Sequence, residues 1–181
     1  YYVNDYGNQI KSFVESVYYR ILEVKKKIKF PLDKKLYPGK YIIDIAKKII
    51  EKKIIHDFND KKHIYDQLEK ESLIQSIKLI KDNLALLGVE HDSFIYESSL
   101  IKDNQVQKTV DKLKASKYVY NGKLPPPKGE ISKNWKARDQ LLFKSTLFGD
   151  DTDRALQKED KTWTYFAGDM AYHSNKIDRD Y

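Results

Sequence analysis

An α/β fold is predicted for this 181-residue chain from three observations. Apolar residues recur at helical spacing in several stretches, short apolar runs rich in β-formers lie between and after them, and these runs are not adjacent in sequence. The strands are too few and too scattered to close a sheet by themselves. The chain therefore reads as part of a larger domain.

Tyr1-Tyr2-Val3 reads as a buried strand, followed by turn and cap residues in Asn4-Asp5-Tyr6-Gly7-Asn8. Ile10, Phe13, Val14, Val17, Ile21 and Val24 then mark an amphipathic helix that ends in lysines, which suit the negative end of a helix dipole. Pro31 and Tyr37-Pro38-Gly39 separate it from a second helix carrying Ile42, Ile45, Ala46, Ile49 and Ile50 on one face. A long third helix is lined by Ile64, Leu68, Leu73, Ile77, Ile80, Leu84 and Leu87, with Gly88 as its stop. Residues 93–97 read as a short strand. Asp103 is placed to cap a helix through Val106, Val110 and Leu113.

Character changes after Ser116. Tyr118-Val119-Tyr120, Asn121-Gly122 and Lys123-Leu124 carry a strand–turn–strand signal. Pro125-Pro126-Pro127-Lys128-Gly129 reads as a stiff loop. Strands are expected at residues 141–145, 155–157 and 162–166, and a new helix beside Asp169. There is no internal repeat. The part-wise division is 1–29 (strand and helix), 30–116 (helix-rich) and 117–181 (strand-rich). The chain begins at Tyr1 and its one methionine is Met170, so a segment of a longer protein is expected.

Composition excludes more than it assigns. Hydrophobic residues make up 40% and charged residues 34%, as in a soluble domain with a charged surface. No apolar run approaches the roughly 20 residues of a membrane span, and no signal-peptide pattern opens the chain. Without cysteine there are neither disulfides nor thiolate metal sites. A net charge of +7 permits a polyanionic partner, although the lysines are mixed with acidic residues as on a solvated helix face.

Among possible sites, the dinucleotide and phosphate-loop glycine fingerprints are missing. His56, His63, His91 and His173 lack metal-ligand spacing, so no metal ligand is assigned. Asp150, Asp151 and Asp153 suit a polar turn in which Arg154 neutralises one carboxylate; a calcium or magnesium loop would need a central glycine and distal glutamate that are not there. Tyr165 and Asp169 are the strongest candidates. Four residues apart, they place a ring face and a carboxylate one helical turn from each other, chemistry suited to a guanidinium or ammonium group. The plain alternative for Asp169 is a helix cap.

Several segments together resemble one family. Residues 2–10 (Tyr-Val-Asn-Asp-Tyr-Gly-Asn-Gln-Ile) look like the stretch of arginyl-tRNA synthetases that follows their HIGH-containing helix. Residues 37–46 resemble the family's Tyr-Pro-Gly-x-Tyr…Asp-Ile-Ala element. Leu87-Gly88-Val89, Glu97-Ser98-Ser99, Phe148-Gly149-Asp150-Asp151-Thr152-Asp153-Arg154 and residues 165–173 are similar to later blocks, in the same order. The proline-rich insertion looks like that of a bacterial branch. The resemblance implies an internal fragment of a Rossmann-like class I synthetase catalytic domain with a helix-rich insertion. Its parent would activate arginine with ATP and magnesium and transfer it to tRNA(Arg) in the cytoplasm. Tyr165 and Asp169 fall on the family's guanidinium-binding Tyr-x-x-x-Asp pair. The HIGH and Lys-Met-Ser-Lys-Ser-type segments would lie outside the chain, so the fragment alone is expected to be inactive, to carry no catalytic acid, base or nucleophile, and to self-associate through exposed domain interfaces. Lysines of residues 30–90 would meet tRNA phosphates. The competing readings are a basic helical nucleic-acid-binding module without catalysis, and a metal-dependent phosphate enzyme built on Asp150–Asp153.

Overall fold

The computed structural model describes residues 1–32, 35–126 and 136–180. It is a mixture of helices and two small sheets, and it divides into two compact units. One unit comprises Asp5–Phe94; the other joins Tyr1–Asn4 to Ile95–Tyr181.

The Asp5–Phe94 unit is helical. Helix α1, Asn8–Lys26, buries Phe13, Val14, Val17, Tyr18, Ile21 and Leu22, a face repeating every three to four residues. Lys27 closes it in the left-handed conformation, φ 60°. Helix α2, Lys40–Glu51, buries Ile42, Ile45, Ala46 and Ile49. Helix α3, Lys61–Leu86, buries Ile64 and Leu68 in its first half, and the three helices pack on one another around these side chains. Full burial of each such aliphatic side chain contributes about 1.5–3 kcal/mol. The ends of α3 follow its sequence. Asp60 caps the start, its carboxylate accepting from the Lys62 and His63 N–H groups at 3.0 and 3.1 Å. Gly88 at φ 72° and Val89 donate back to Ala85 and Leu84, which satisfies the last carbonyls and stops the helix.

The other unit is built on two small sheets. Strand β1, Tyr2–Val3, pairs in parallel with β2, Ile95–Tyr96. Helix α4, Glu97–Lys102, follows β2 at once, and α5, Gln105–Ala115, comes two residues after it. Strands β3 (Val119–Gly122), β4 (Gln140–Phe143) and β5 (Arg154–Ala155) form an antiparallel sheet in that order. Helix α6, Tyr165–Asp178, packs on α4 and α5, and the core gathers Val106, Val110, Val119, Leu156, Ala167 and Ala171.

Helices α1, α2 and α3 stand where the periodicity puts them, but past Leu68 the buried face of α3 passes to Glu71, Ser72 and Gln75 in place of the expected apolar line, and Leu87 lies beyond the helix, 77% exposed; several shorter elements differ. The expected strand at 93–97 is confined to Ile95–Tyr96, because Glu97 already belongs to α4. Asp103 does not cap α5. It closes α4, and Asn104, left-handed at φ 55°, occupies the cap position with no side-chain hydrogen bond. Asn121-Gly122 is not a hairpin turn. Both residues continue β3, with Asn121 opposite Leu141 and Gly122 opposite Gln140. The glycine serves a steric purpose there, since a Cβ would lie 2.6 Å from the Tyr120 ring and 3.3 Å from Leu142 Cδ1. The strand expected at 162–166 reduces to a single bridge between Gln157 and Trp163. Helix α6 starts at Tyr165, not beside Asp169. The proline-rich loop lies outside the described residues from Pro127 to Gly129.

Candidate functional site

The start of α6 is fixed by Thr164. Its hydroxyl donates to the Ala155 carbonyl at 2.8 Å and accepts from the Ala167 N–H at 3.4 Å, while its own N–H donates to the Leu156 carbonyl at 3.0 Å. The helix N-terminus is thereby tied to the end of β5. Tyr165 opens the helix and stands 51% exposed. Asp169, one turn on, is exposed too, within the helix and not at its cap. The Tyr165 ring and the Asp169 carboxylate thus sit at positions i and i+4 of one solvent-facing helix surface. A third group approaches the ring: Lys158 Nζ lies 5.9 Å from its centroid. The loop bearing Lys158 is closed by its N–H donating to the Thr162 carbonyl at 2.8 Å and by Asp160 accepting from the Thr162 N–H and hydroxyl at 3.0 and 2.6 Å.

The residue between Tyr165 and Asp169 that matters most is Gly168. It is buried, and a Cβ there would stand 3.3 Å from Glu97 Oε1 and 3.4 Å from the Tyr2 hydroxyl. Glu97, at 6% exposure, brings a second carboxylate to the residue beside Asp169. Tyr2 stacks on Tyr172 with centroids 4.5 Å apart, holding β1 against the same helix. The chemistry reading from sequence missed both Glu97 and Tyr2. The available signal was Gly168 itself, since a glycine inside a helical pattern often marks a close approach.

The aspartate cluster is internally committed. Asp150 takes two hydrogen bonds of 2.6 Å from the Arg154 guanidinium, and Asp151 lies 3.7 Å from the same group. Asp153 accepts from the Tyr120 hydroxyl at 2.7 Å and from the Thr146 hydroxyl and N–H at 2.7 and 3.1 Å. The Tyr120 hydrogen bond holds the Asp153 carboxyl below the usual range, and Arg154 does the same for Asp150. A polar turn with Arg154 on one carboxylate is what the spacing predicts. Among the described residues, no group of three or more His, Asp or Glu side chains is arranged to hold a metal ion.

No protein-family model matches the chain. Curated relatives match its whole length. A Pelagibacter ubique protein is 53% identical over 182 residues, 100% of this chain and 32% of its own length. One from Ehrlichia ruminantium (strain Welgevonden) is 49% identical over 99% of this chain and 31% of its own length, and one from Orientia tsutsugamushi (strain Ikeda) 44% identical over 99% and 30%. A Campylobacter jejuni crystal structure carrying the name arginyl t-RNA synthetase superposes with a TM-score of 0.77 at 29% identity, covering 100% of this chain and 36% of that one.

Over its whole length the chain is similar to a segment of proteins named as aminoacyl-tRNA synthetases. All three curated relatives bear the name arginine–tRNA ligase, and along its whole length the chain is homologous to a segment of that family. It spans about a third of their length. A basic helical module without catalysis is not supported.

Proposed function

We propose that this chain is the arginine-recognising part of an arginine–tRNA ligase, and that its parent activates arginine with ATP and transfers it to tRNA(Arg). The observation that carries the reading is the α6 surface, on which Tyr165 and Asp169 share a face and Glu97 stands buried at the intervening glycine. Asp169 would accept charge-assisted hydrogen bonds from the guanidinium, and the Tyr165 ring would lie against its plane.

Residues 1–181 would form a fragment of one Rossmann-like class I catalytic domain, with residues 30–116 as its helix-rich part. ATP would enter as a substrate with magnesium, held mainly by the remaining two-thirds of the parent, and positioning and charge stabilisation would supply the chemistry. Lysines of residues 30–90 would meet tRNA phosphates. Among the described residues no helix is long and apolar enough to cross a membrane, and a cytoplasmic site of action accords with the proposed reaction. Taken alone, the chain would self-associate through Leu86, Leu87 and Ile177, large apolar side chains left exposed.

The test is charging of tRNA with labelled arginine by the full-length parent. Asp169→Asn is expected to raise the arginine requirement about ten- to a hundredfold, the loss of one charge-assisted hydrogen bond of about 1.5–3 kcal/mol. Native parent protein that charges no tRNA with arginine would sink the ligase reading. A normal arginine requirement in Asp169→Asn would sink the site.

A further inference from the structure

The aspartate turn satisfies itself, which leaves open what it is for. Its hydrogen bonds fix a short 3-10 turn, Ser145–Phe148, between β4 and β5. The Ser145 hydroxyl donates to the Thr152 carbonyl at 2.8 Å, Thr146 donates twice to Asp153, and the Asp150 N–H donates to the Ser145 carbonyl at 3.3 Å. Gly149 closes the turn at φ 92°, a conformation that favours glycine. So braced, the turn presents two large apolar side chains to water, Leu147 at 65% and Phe148 at 64% exposure. The Phe148 ring is held in place: it lies parallel to Phe143, 1° between planes and 5.7 Å between centroids, and 5.6 Å from Tyr118. Phe143 in turn meets Phe166 of α6 at 5.9 Å. A stack of rings therefore runs from the core outward and ends in an uncovered face.

We propose that Phe148 is a stacking platform for an unpaired base of RNA, with Lys117 for the phosphates. Lys117 precedes Tyr118, whose ring meets that of Phe148, and is exposed; Lys144 precedes the turn, its Nζ 5.9 Å from the Tyr120 centroid. Of the carboxylates nearby, Asp150 is taken up by Arg154 and Asp153 by Tyr120 and Thr146; Asp153 also faces Lys144, and Asp151 faces Arg154. Size selects the occupant. One ring face and one leucine match a single base, whereas a stable protein interface buries about 800 Å² on each partner. Stacking on a base is tolerant of sequence and is worth about 1–3 kcal/mol per ring. The proposal rests on the ligase reading for its RNA and assigns a position on the protein that the arginine site does not use.

The test measures binding of a labelled tRNA(Arg) transcript, and of a labelled single-stranded octanucleotide RNA, to the full-length parent and two variants by fluorescence anisotropy. Phe148→Ala is expected to weaken both ligands about five- to a hundredfold. Phe148→Trp is expected to bind as tightly as native protein, because a larger ring stacks at least as well. Native affinity in Phe148→Ala overturns the platform. So does an equal loss in the Ala and Trp variants accompanied by a lowered melting temperature, which would mean that the ring packs against the rest of the polypeptide. Native parent that binds neither RNA sinks the ligase reading with it, whereas a native parent that binds and a Phe148→Ala that binds equally sinks the platform alone.

Discussion

Gly168 and Asp153 show how single residues set the limits of this chain. An alanine inside an open helix is about 1 kcal/mol better than glycine. At Gly168 the added methyl would meet Glu97 and the Tyr2 hydroxyl at 3.3–3.4 Å, and both belong to side chains pinned against α6. Gly168→Ala is therefore expected to bring no gain in melting temperature, and a gain near the open-helix value would show that the two side chains yield freely. Asp153 invites a titration. The Tyr120 hydrogen bond is the foremost cause of its lowered pKa, and Tyr120→Phe should move its midpoint up toward the ordinary value near 4, read by carboxyl chemical shifts. The sign follows from a depressed folded-state pKa. The stability it confers is present above about pH 4 and disappears as pH falls through the folded value, so the turn should loosen in acid and loosen sooner in the variant. The placement of Tyr165 and Asp169 on one helix surface and the aspartate–arginine pairing were legible because each rests on spacing within a few residues. The place of Glu97 was not, since it rests on an approach to Gly168, 71 positions away by their numbering.

Elements were legible in proportion to their length. Helices α1, α2 and α3 repeat apolar positions over several turns, and Gly88 marks the end of α3, whereas its Asp60 cap was not read. The four-residue strands β3 and β4 give periodicity little to work with, and Asn121-Gly122 carries a hairpin signal that pairing with β4 overrides. Helix α6 was placed a turn too late because Thr162-Trp163-Thr164-Tyr165-Phe166 is rich in β-formers, yet Thr164 bonds to both β5 and the first helical turn. Removing that hydroxyl tests which contact decides. Thr164→Ala is expected to cost about 1 kcal/mol, the usual cost of losing an N-cap, measured by chemical denaturation. On the proposed reading, arginine binding by the parent should weaken as well, since Tyr165 opens the turn that the cap fixes.

On the scale of the molecule, each unit has its own core, and the helical one holds a tyrosine whose ionisation burial opposes. Burial, and then the nearby Glu69 carboxylate, push Tyr65 up to about 12. An unfolded tyrosine ionises near 10, so stability is complete below that pH and declines as pH rises from about 10 through 12. Tyr65→Phe should flatten this decline in thermal melts taken between pH 9 and 12; an unchanged slope would assign it to other groups. The division into units was not legible at all. Periodicity reports which face of an element is buried, but it is silent about a pairing partner far along the chain, and β1 pairs with just such a partner. Tyr2 lies opposite Ile95, and the Ile95 N–H reaches the Tyr1 carbonyl at 2.9 Å. That pairing imposes an order in time. On a ribosome, Tyr2 and Val3 leave the exit tunnel some ninety residues before the strand they need, and must wait, extended and apolar, while everything between them is made. A helical unit that folds during this interval, with its two ends brought side by side, would spare the late pairing most of the entropy of closing so long a loop.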